Sequence, residues 1–413
     1  GDALSSLGPR LAEAGVPAVL AMQGKVSMGT VERFMPRFFT ELLRDGEIDR
    51  AASVARGTVR DAPDHWMPVL FSRLKSGRLW YVPGFGGGTD EFEHWDTLRS
   101  FVGEKRCTPV IGPGVAEAWL GAPRDIARRW AAQHGYPFAP DQRDSLPRVA
   151  QYLAGKGGEE FLDARFRASV RDQLAARSTG TMPSDDASPL SKSLLTSMKA
   201  AINEAWTRDP REPHRLLARL RLPIYVTTSP CDLLAEALRA EKADPQVRLC
   251  PWWRGATEEL SEDRWQYDDE PTPEKPLVYH LYGHLDTPAA LVLSEDQYFD
   301  FLIGFTRNRK LIPDTVLNAL TGTALLFLGF APDEWPFRVL FRTLMAQGGS
   351  ERFRRFRHVT AQVAPDEGRL LDQARARRYL ESTFQKDQIA MYWGRTEEFL
   401  ADLADRLAAQ EAR

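Results

Sequence analysis

The sequence predicts an α/β protein: a mainly parallel sheet with helices on both faces, preceded by a small α/β fragment and followed by a helical tail. Three observations predict it. Short apolar runs recur along the chain, as at Thr108 to Ile111, Ile224 to Thr228 and Ala324 to Leu328. Strands buried on both faces read as continuous apolar runs of this kind. Stretches with helical spacing separate them, and strands alternating with helices form parallel sheets.

The elements follow in order. Val16 to Met22 reads as a short buried strand bounded by Gly15 and Gly24. Gly29 to Arg44 carries Val31, Phe34, Met35, Phe38, Phe39, Leu42 and Leu43 at helical spacing, and Gly46 stops it. Ile48 to Val59 predicts a second helix. Trp66 to Phe71 predicts a strand that lies at an edge or begins at Pro68. Gly84, Gly86, Gly87 and Gly88 read as a linker over 81–100; without a following Lys-Ser or Lys-Thr they are not a phosphate loop. A second domain over 101–350 opens with Thr108 to Ile111, then a helix from about Pro123, ended by Gly135. Glu160 to Leu217 reads as helices broken by a loop around Thr179 to Pro189. Further strands are expected at Ile224 to Thr228, Val247 to Cys250, Leu277 to Leu281 and Ala324 to Leu328. A mostly helical extension occupies 351–413, with Phe399, Leu400, Leu403 and Leu407 on one face. The sum is a Rossmann-like sheet.

Composition narrows the function classes. Lys and Arg number 54 against 57 Asp and Glu, a net charge of -3. This balance gives no electrostatic case for nucleic acid; the one dense basic patch, Arg352, Arg354, Arg355 and Arg357, reads as a solvated helix face. Cys107, Cys231 and Cys250 fit no zinc spacing, so no metal is expected and buried thiols in a reducing cytoplasm account for them. No apolar run approaches the roughly 20 residues of a membrane helix. The chain starts at Gly1 inside a running pattern and ends on a charged helix, as a piece of a longer polypeptide would.

Three strand ends carry candidate chemistry, because open α/β sheets bind ligands where strands end. Gly112-Pro113-Gly114 after the first strand would let backbone amides approach a pyrophosphate; the same glycines also make any tight strand exit, and Pro113 lacks an amide donor. Thr228, Ser229 and Asp232 after the second would grip a ribose, or Thr228 or Ser229 would cap a helix beginning at Pro230. In the third, His280, Tyr282 and His284 share one face if the chain stays extended. Such a row suits proton transfer or stacking on a ring, or a hydrogen-bonded sheet edge.

The order of these motifs, Gly-Pro-Gly, Thr227-Thr228-Ser229-Pro230-Cys231-Asp232-Leu233-Leu234 and His280-Leu281-Tyr282-Gly283, resembles the sirtuin-like domains of bacterial anti-phage proteins. Leu291 to Tyr298, Leu326 to Trp335 and Tyr392 to Gly394 extend the similarity. Separately, Ala14 to Gln23 resembles the end of a CHAT domain, a caspase-like fold, over 1–80. The resemblance implies an NAD⁺-cleaving fold in which an Asn and an Asp after the Thr-Thr strand hold the nicotinamide ribose and water, and a His before the glycine of the third motif is the base. It also implies that the peptidase His and Cys precede Gly1. With no cysteine before Cys107, the chain as given carries no cysteine peptidase chemistry.

The positions of that chemistry are altered. Ser229 stands at the Asn position, Cys231 at the Asp position with Asp232 one step later, and Tyr282 at the His position. Ser is too short to reach where Asn reaches unless water bridges, and Tyr, with a pKa near 10, is a poor base at neutral pH. Two expectations follow. In one, the domain is an NAD⁺ glycohydrolase of bacterial immunity with His280 or His284 as surrogate base. In the other, it is a degenerate sensor of NAD⁺ or ADP-ribose, or a scaffold for a protein partner or oligomer.

Overall fold

A computed structural model describes residues 10–11, 16–74, 77, 92–175, 206, 209–253, 270–308, 312–348, 353–362 and 373–411. The glycine-rich part of the expected linker, the loop around Thr179 to Pro189 and Arg352 lie outside the described residues. The chain divides into two compact units, Gly1–Glu91 with Ala364–Tyr379, and Phe92–Val363 with Leu380–Arg413.

In the first unit β1 (Ala18–Met22) pairs antiparallel with β2 (Pro68–Ser72), from Ala18 opposite Ser72 to Met22 opposite Pro68. The strand begins at its proline, where no amide has to enter the interior of a ladder. Helix α1 (Met28–Asp45) is capped by Ser27, whose side chain accepts from the Thr30 amide, and ends at Gly46 in the left-handed region. Its Phe34, Phe38 and Leu42 pack on Ala51, Ala52 and Ala55 of α2 (Ile48–Thr58). The small alanines let the two helices approach. Phe39 and Leu43 instead stay exposed, so the seven apolar positions read from the sequence cover more than the buried stripe.

The second unit holds seven parallel strands, β3 (Cys107–Ile111), β4 (Ile224–Thr227), β5 (Gln246–Leu249), β6 (Leu277–His280), β7 (Ala324–Phe330), β8 (His358–Gln362) and β9 (Ile389–Arg395). Their order is β5-β6-β4-β3-β7-β8-β9. Residues 95–103, the first six of them inside the expected linker, form α3 (Trp95–Gly103), with Trp95, Leu98 and Val102 buried in this unit's core. Between β3 and β4 run α4 (Glu117–Leu120), α5 (Pro123–His134), α6 (Leu146–Gly157), α7 (Glu159–Ala175) and α8 (Pro213–Arg219). Helix α9 (Leu233–Ala240) follows β4, α10 (Glu295–Arg307) and α11 (Asp314–Gly322) follow β6, and α12 (Trp335–Gly348) follows β7.

Alternate side chains of each strand serve opposite faces. Tyr225, Val278, Leu326 and Leu328 join one core with Trp119, Leu217 and Leu234. Phe327 points the other way and meets Phe337 and Phe341 of α12. Helices therefore cover both faces, as the sequence predicts.

The C-terminal stretch is helical over α13 (Gln373–Gln385) and α14 (Thr396–Glu411), but it also supplies β8 and β9. These strands are hidden in the sequence because His358 and Thr360 interrupt the apolar pattern; both are buried, and the His358 ring is built into the core. Its Nδ1 accepts from the Leu325 amide at 2.9 Å, and its Nε2 donates to Phe353 O at 2.8 Å. The described members of the basic cluster, Arg354, Arg355 and Arg357, form no helix face either: they lie at a turn leading into β8, where Arg354 pairs with Asp387.

Candidate functional site

Strand register brings the three motifs to one level. Ile111 pairs with Thr227 and with Leu328, and Thr227 pairs with His280. Strands β4, β6 and β5 lie on one side of β3, and β7, β8 and β9 on the other. The strand order thus reverses at β3, the place where ligands bind in open α/β sheets.

At the β3 exit, Gly112 is a packing residue. Its amide donates to Leu328 O at 2.7 Å, and a Cβ on it would stand 2.7 Å from Gly329 O and 2.8 Å from the Phe330 ring. Gly329, at φ 70°, has no more room: a Cβ there would meet the Val115 amide nitrogen at 2.5 Å. The two glycines let the exits of β3 and β7 touch. Gly112 has spent its amide and Pro113 has none, so neither supplies a phosphate donor as the motif had suggested. Gly114 is buried in the 3₁₀ turn that follows.

At the β4 exit, the helix begins at Leu233, three residues after Pro230, and neither Thr228 nor Ser229 caps it. The Thr228 amide and Oγ1 both donate to Ile111 O, at 2.9 and 3.1 Å, sewing β4 to β3. The Ser229 amide donates to Thr227 Oγ1 at 3.0 Å, and Ser229 Oγ lies 3.5 Å from Cys231 Sγ. Burial pushes the Cys231 thiol up to about 11, so it stays protonated at neutral pH. Asp232 occupies the N-cap position, yet its side chain makes no capping bond.

That carboxylate turns to the β6 exit. The chain there does not stay extended. Gly283, at φ 79°, folds it back, and a Cβ at that position would meet Ala290 O at 2.1 Å. The turn is pinned by the Leu285 amide, which donates to Pro230 O at 2.9 Å. His284 therefore comes to His280, ring centroids 5.2 Å apart at 87°. Tyr282 does not join them: its ring packs 4.9 Å from Phe301 and 5.3 Å from Tyr298, and burial drives its hydroxyl well above the ordinary range. A shared face for all three rings required a strand that ends at His280 instead.

Asp232 Oδ1 lies 3.4 Å from His284 Nε2 and 3.7 Å from His280 Nε2. These are ion-pair distances, and among the described residues the three buried atoms have no partner beyond one another. Each ring's other nitrogen is occupied. His280 Nδ1 donates to Ser229 O at 2.8 Å, and His284 Nδ1 accepts from the Asp286 amide at 3.2 Å. Burial lowers His280 to about 4, with His284 adding to the shift and Asp232 opposing it. Burial works to raise Asp232, but His284 and His280 hold it below the usual carboxylate range. Among the described residues no three His, Cys, Asp or Glu side chains are set to hold a metal ion.

The site that forms is thus Ser229, Asp232, His280 and His284. Sequence reasoning missed that Asp286 and the Ser229 carbonyl orient the imidazoles. The Gly283 turn, three residues ahead of Asp286, was the available signal.

Two families match this chain. Residues 223–386 match the SIR2-like domain. They run from just before β4 to just past the end of α13 and contain the whole Asp232–His280–His284 cluster. Residues 1–134 match the CHAT domain. That match passes residue 80, through β3 to the end of α5, so it extends well into the second unit. No curated protein matches the chain. No described helix is long and apolar enough to cross a membrane.

Proposed function

We propose that the SIR2-like portion binds an NAD-type nucleotide at the strand ends of β3, β4 and β6, and that this chain works as a nucleotide-responsive module of a cytoplasmic bacterial defence protein. One observation carries the reading. Three buried polar atoms, Asp232 Oδ1, His280 Nε2 and His284 Nε2, converge where β4 and β6 end, on one side of β3, with no partner outside their own cluster among the described residues. Unpaired buried polar groups each cost about 1–3 kcal/mol, a cost that a polar ligand relieves. The SIR2-like match and the topology both favour a nucleotide as that ligand.

Binding stands ahead of cleavage in this reading. Ser229 holds the family's Asn position with its hydroxyl beside a thiol, and Tyr282 holds the His position inside an aromatic cluster. A second reading, hydrolysis of the nicotinamide–ribose bond, is favoured by His280, whose Nδ1 donates to Ser229 O and leaves Nε2 free to accept a proton. The CHAT match adds a route to protein partners or oligomers.

Titration calorimetry of the whole chain with NAD⁺ and ADP-ribose tests binding, and nicotinamide release tests hydrolysis. Binding heat without release supports the sensor. Release that falls about 10²–10⁴-fold in His280→Ala supports the second reading. Neither heat nor release refutes both.

A further inference from the structure

Helix α10 has one face packed inward and one face open to solvent. Tyr298 and Phe301 meet Tyr282, and a Cβ on Gly304 would stand 2.1 Å from the Trp252 carbonyl oxygen. The other face carries Asp296, Phe299, Asp300, Ile303 and Arg307, whose three- and four-residue spacings align them in one stripe, and all five are exposed. Phe299 and Ile303 are large apolar side chains at 54% and 53% exposure. The Phe299 ring also stacks on Trp335 of α12, centroids 6.3 Å apart at 14°, so the apolar surface continues onto a second helix. A capping box at Ser294 fixes the start of α10, Arg148 pairs with Glu295 and Gln151 donates to Asp296. The stripe is thus presented on an anchored helix, and little order has to be gained on binding.

The charges on the stripe are ordered. Asp296 and Asp300 precede Ile303, and Arg307 follows it. Asp300 and Arg307 lie about 10.5 Å apart along the axis, and neither has an ion-pair partner among the described residues. They are symmetric about the step from Ile303 to Gly304. A second copy of the helix, antiparallel and crossing at that step, sets each Asp300 against the other copy's Arg307 and packs Ile303 on Ile303. A parallel copy in register would set like charges together. A surface complementary to itself under a two-fold axis is what an isologous contact requires.

We infer that the exposed face of α10 is a docking surface for a second copy of this chain, with Ile303 at the two-fold axis and the Asp300–Arg307 pairs on either side. The inference is independent of the nucleotide reading.

Sedimentation equilibrium of the full chain tests it. A monomer–dimer equilibrium with Kd on the order of 10 µM is expected, the strength of a small interface. Ile303→Arg should abolish the dimer and leave the melting temperature unchanged, because the side chain is exposed. Asp300→Arg and Arg307→Asp should each weaken the dimer about tenfold or more, since each turns two attractive contacts into two repulsive ones. The double variant carrying both exchanges should recover the parent Kd to within about threefold, because the complementarity is kept. A chain still monomeric at roughly 200 µM would overturn the inference and assign the face to a different protein. A dimer that survives Ile303→Arg would overturn it by placing the contact elsewhere. A double variant as weak as the single ones would overturn the antiparallel pairing, whatever the folding of Ile303→Arg.

Discussion

Replacing Gly283 by alanine tests the turn that assembles the site. The residue sits at φ 79°, where an L side chain is strained, and a Cβ there would stand 2.1 Å from the Ala290 carbonyl oxygen and 2.3 Å from its carbon. A left-handed non-glycine residue costs about 1–3 kcal/mol. Pushing a methyl into packed backbone adds roughly 1–3 kcal/mol, because the atoms in the way are main chain and cannot swing aside. The expected loss is therefore about 2–6 kcal/mol, or a melting temperature lower by roughly 4–12 °C in a domain of this size. Gly135→Ala is the matched control: φ is 67°, but nothing lies within 4 Å of its Cβ position, so only the conformational part remains. Thermal unfolding of both variants isolates the steric term. Equal losses would refute the close approach of the turn to Ala290, and with it the packing that brings His284 to His280.

Acid should weaken the protein between about pH 6.5 and 4. Burial lowers both His280 and His358 from 6.5 to about 4, so in that window the unfolded chain binds protons that the folded chain does not. Each imidazole should withdraw about 3 kcal/mol across the window. Urea midpoints at pH 7 and pH 4.5 should differ less in His358→Gln than in the parent chain, and an unchanged difference would dismiss His358 as a source. Buried Glu212 accepts from Trp119 Nε1 at 3.1 Å and from the Arg215 amide at 3.1 Å, with His214 Nδ1 2.6 Å away. Glu212→Ala leaves these groups unpaired and should cost about 3 kcal/mol or more by urea unfolding; a loss under about 1 kcal/mol would show the network to be dispensable.

Several features were legible in the residues because they are local. Ile224 to Thr228 and Ala324 to Leu328 read as strands since a fully buried strand is apolar along its length, whatever lies beside it. Gly46 and Gly135 mark helix ends because the left-handed region favours glycine in any context. The three strand ends were visible for the same reason: a strand that stops at glycine, hydroxyl or histidine announces its exit.

Tertiary structure decided the rest, since each remaining question concerned a partner distant in the chain. Whether Gly112 faces a ligand or Gly329 depends on a neighbour more than two hundred residues away, and the parallel pairing of β3 with β7 settled it. Strand β8 carries His358 and Thr360, which only the finished sheet buries, and Leu325 and Phe353 supply partners for both nitrogens of His358. The separation of Tyr282 from its histidine neighbours came from the reversal at Gly283, whose sign of φ is a property of the folded turn. Asp232 read as a ribose contact beside Thr228 and Ser229, and it meets His280 and His284 because β4 and β6 lie side by side. Sequence spacing fixes which residues leave each strand together, whereas only the pairing of strands determines which atoms then face one another.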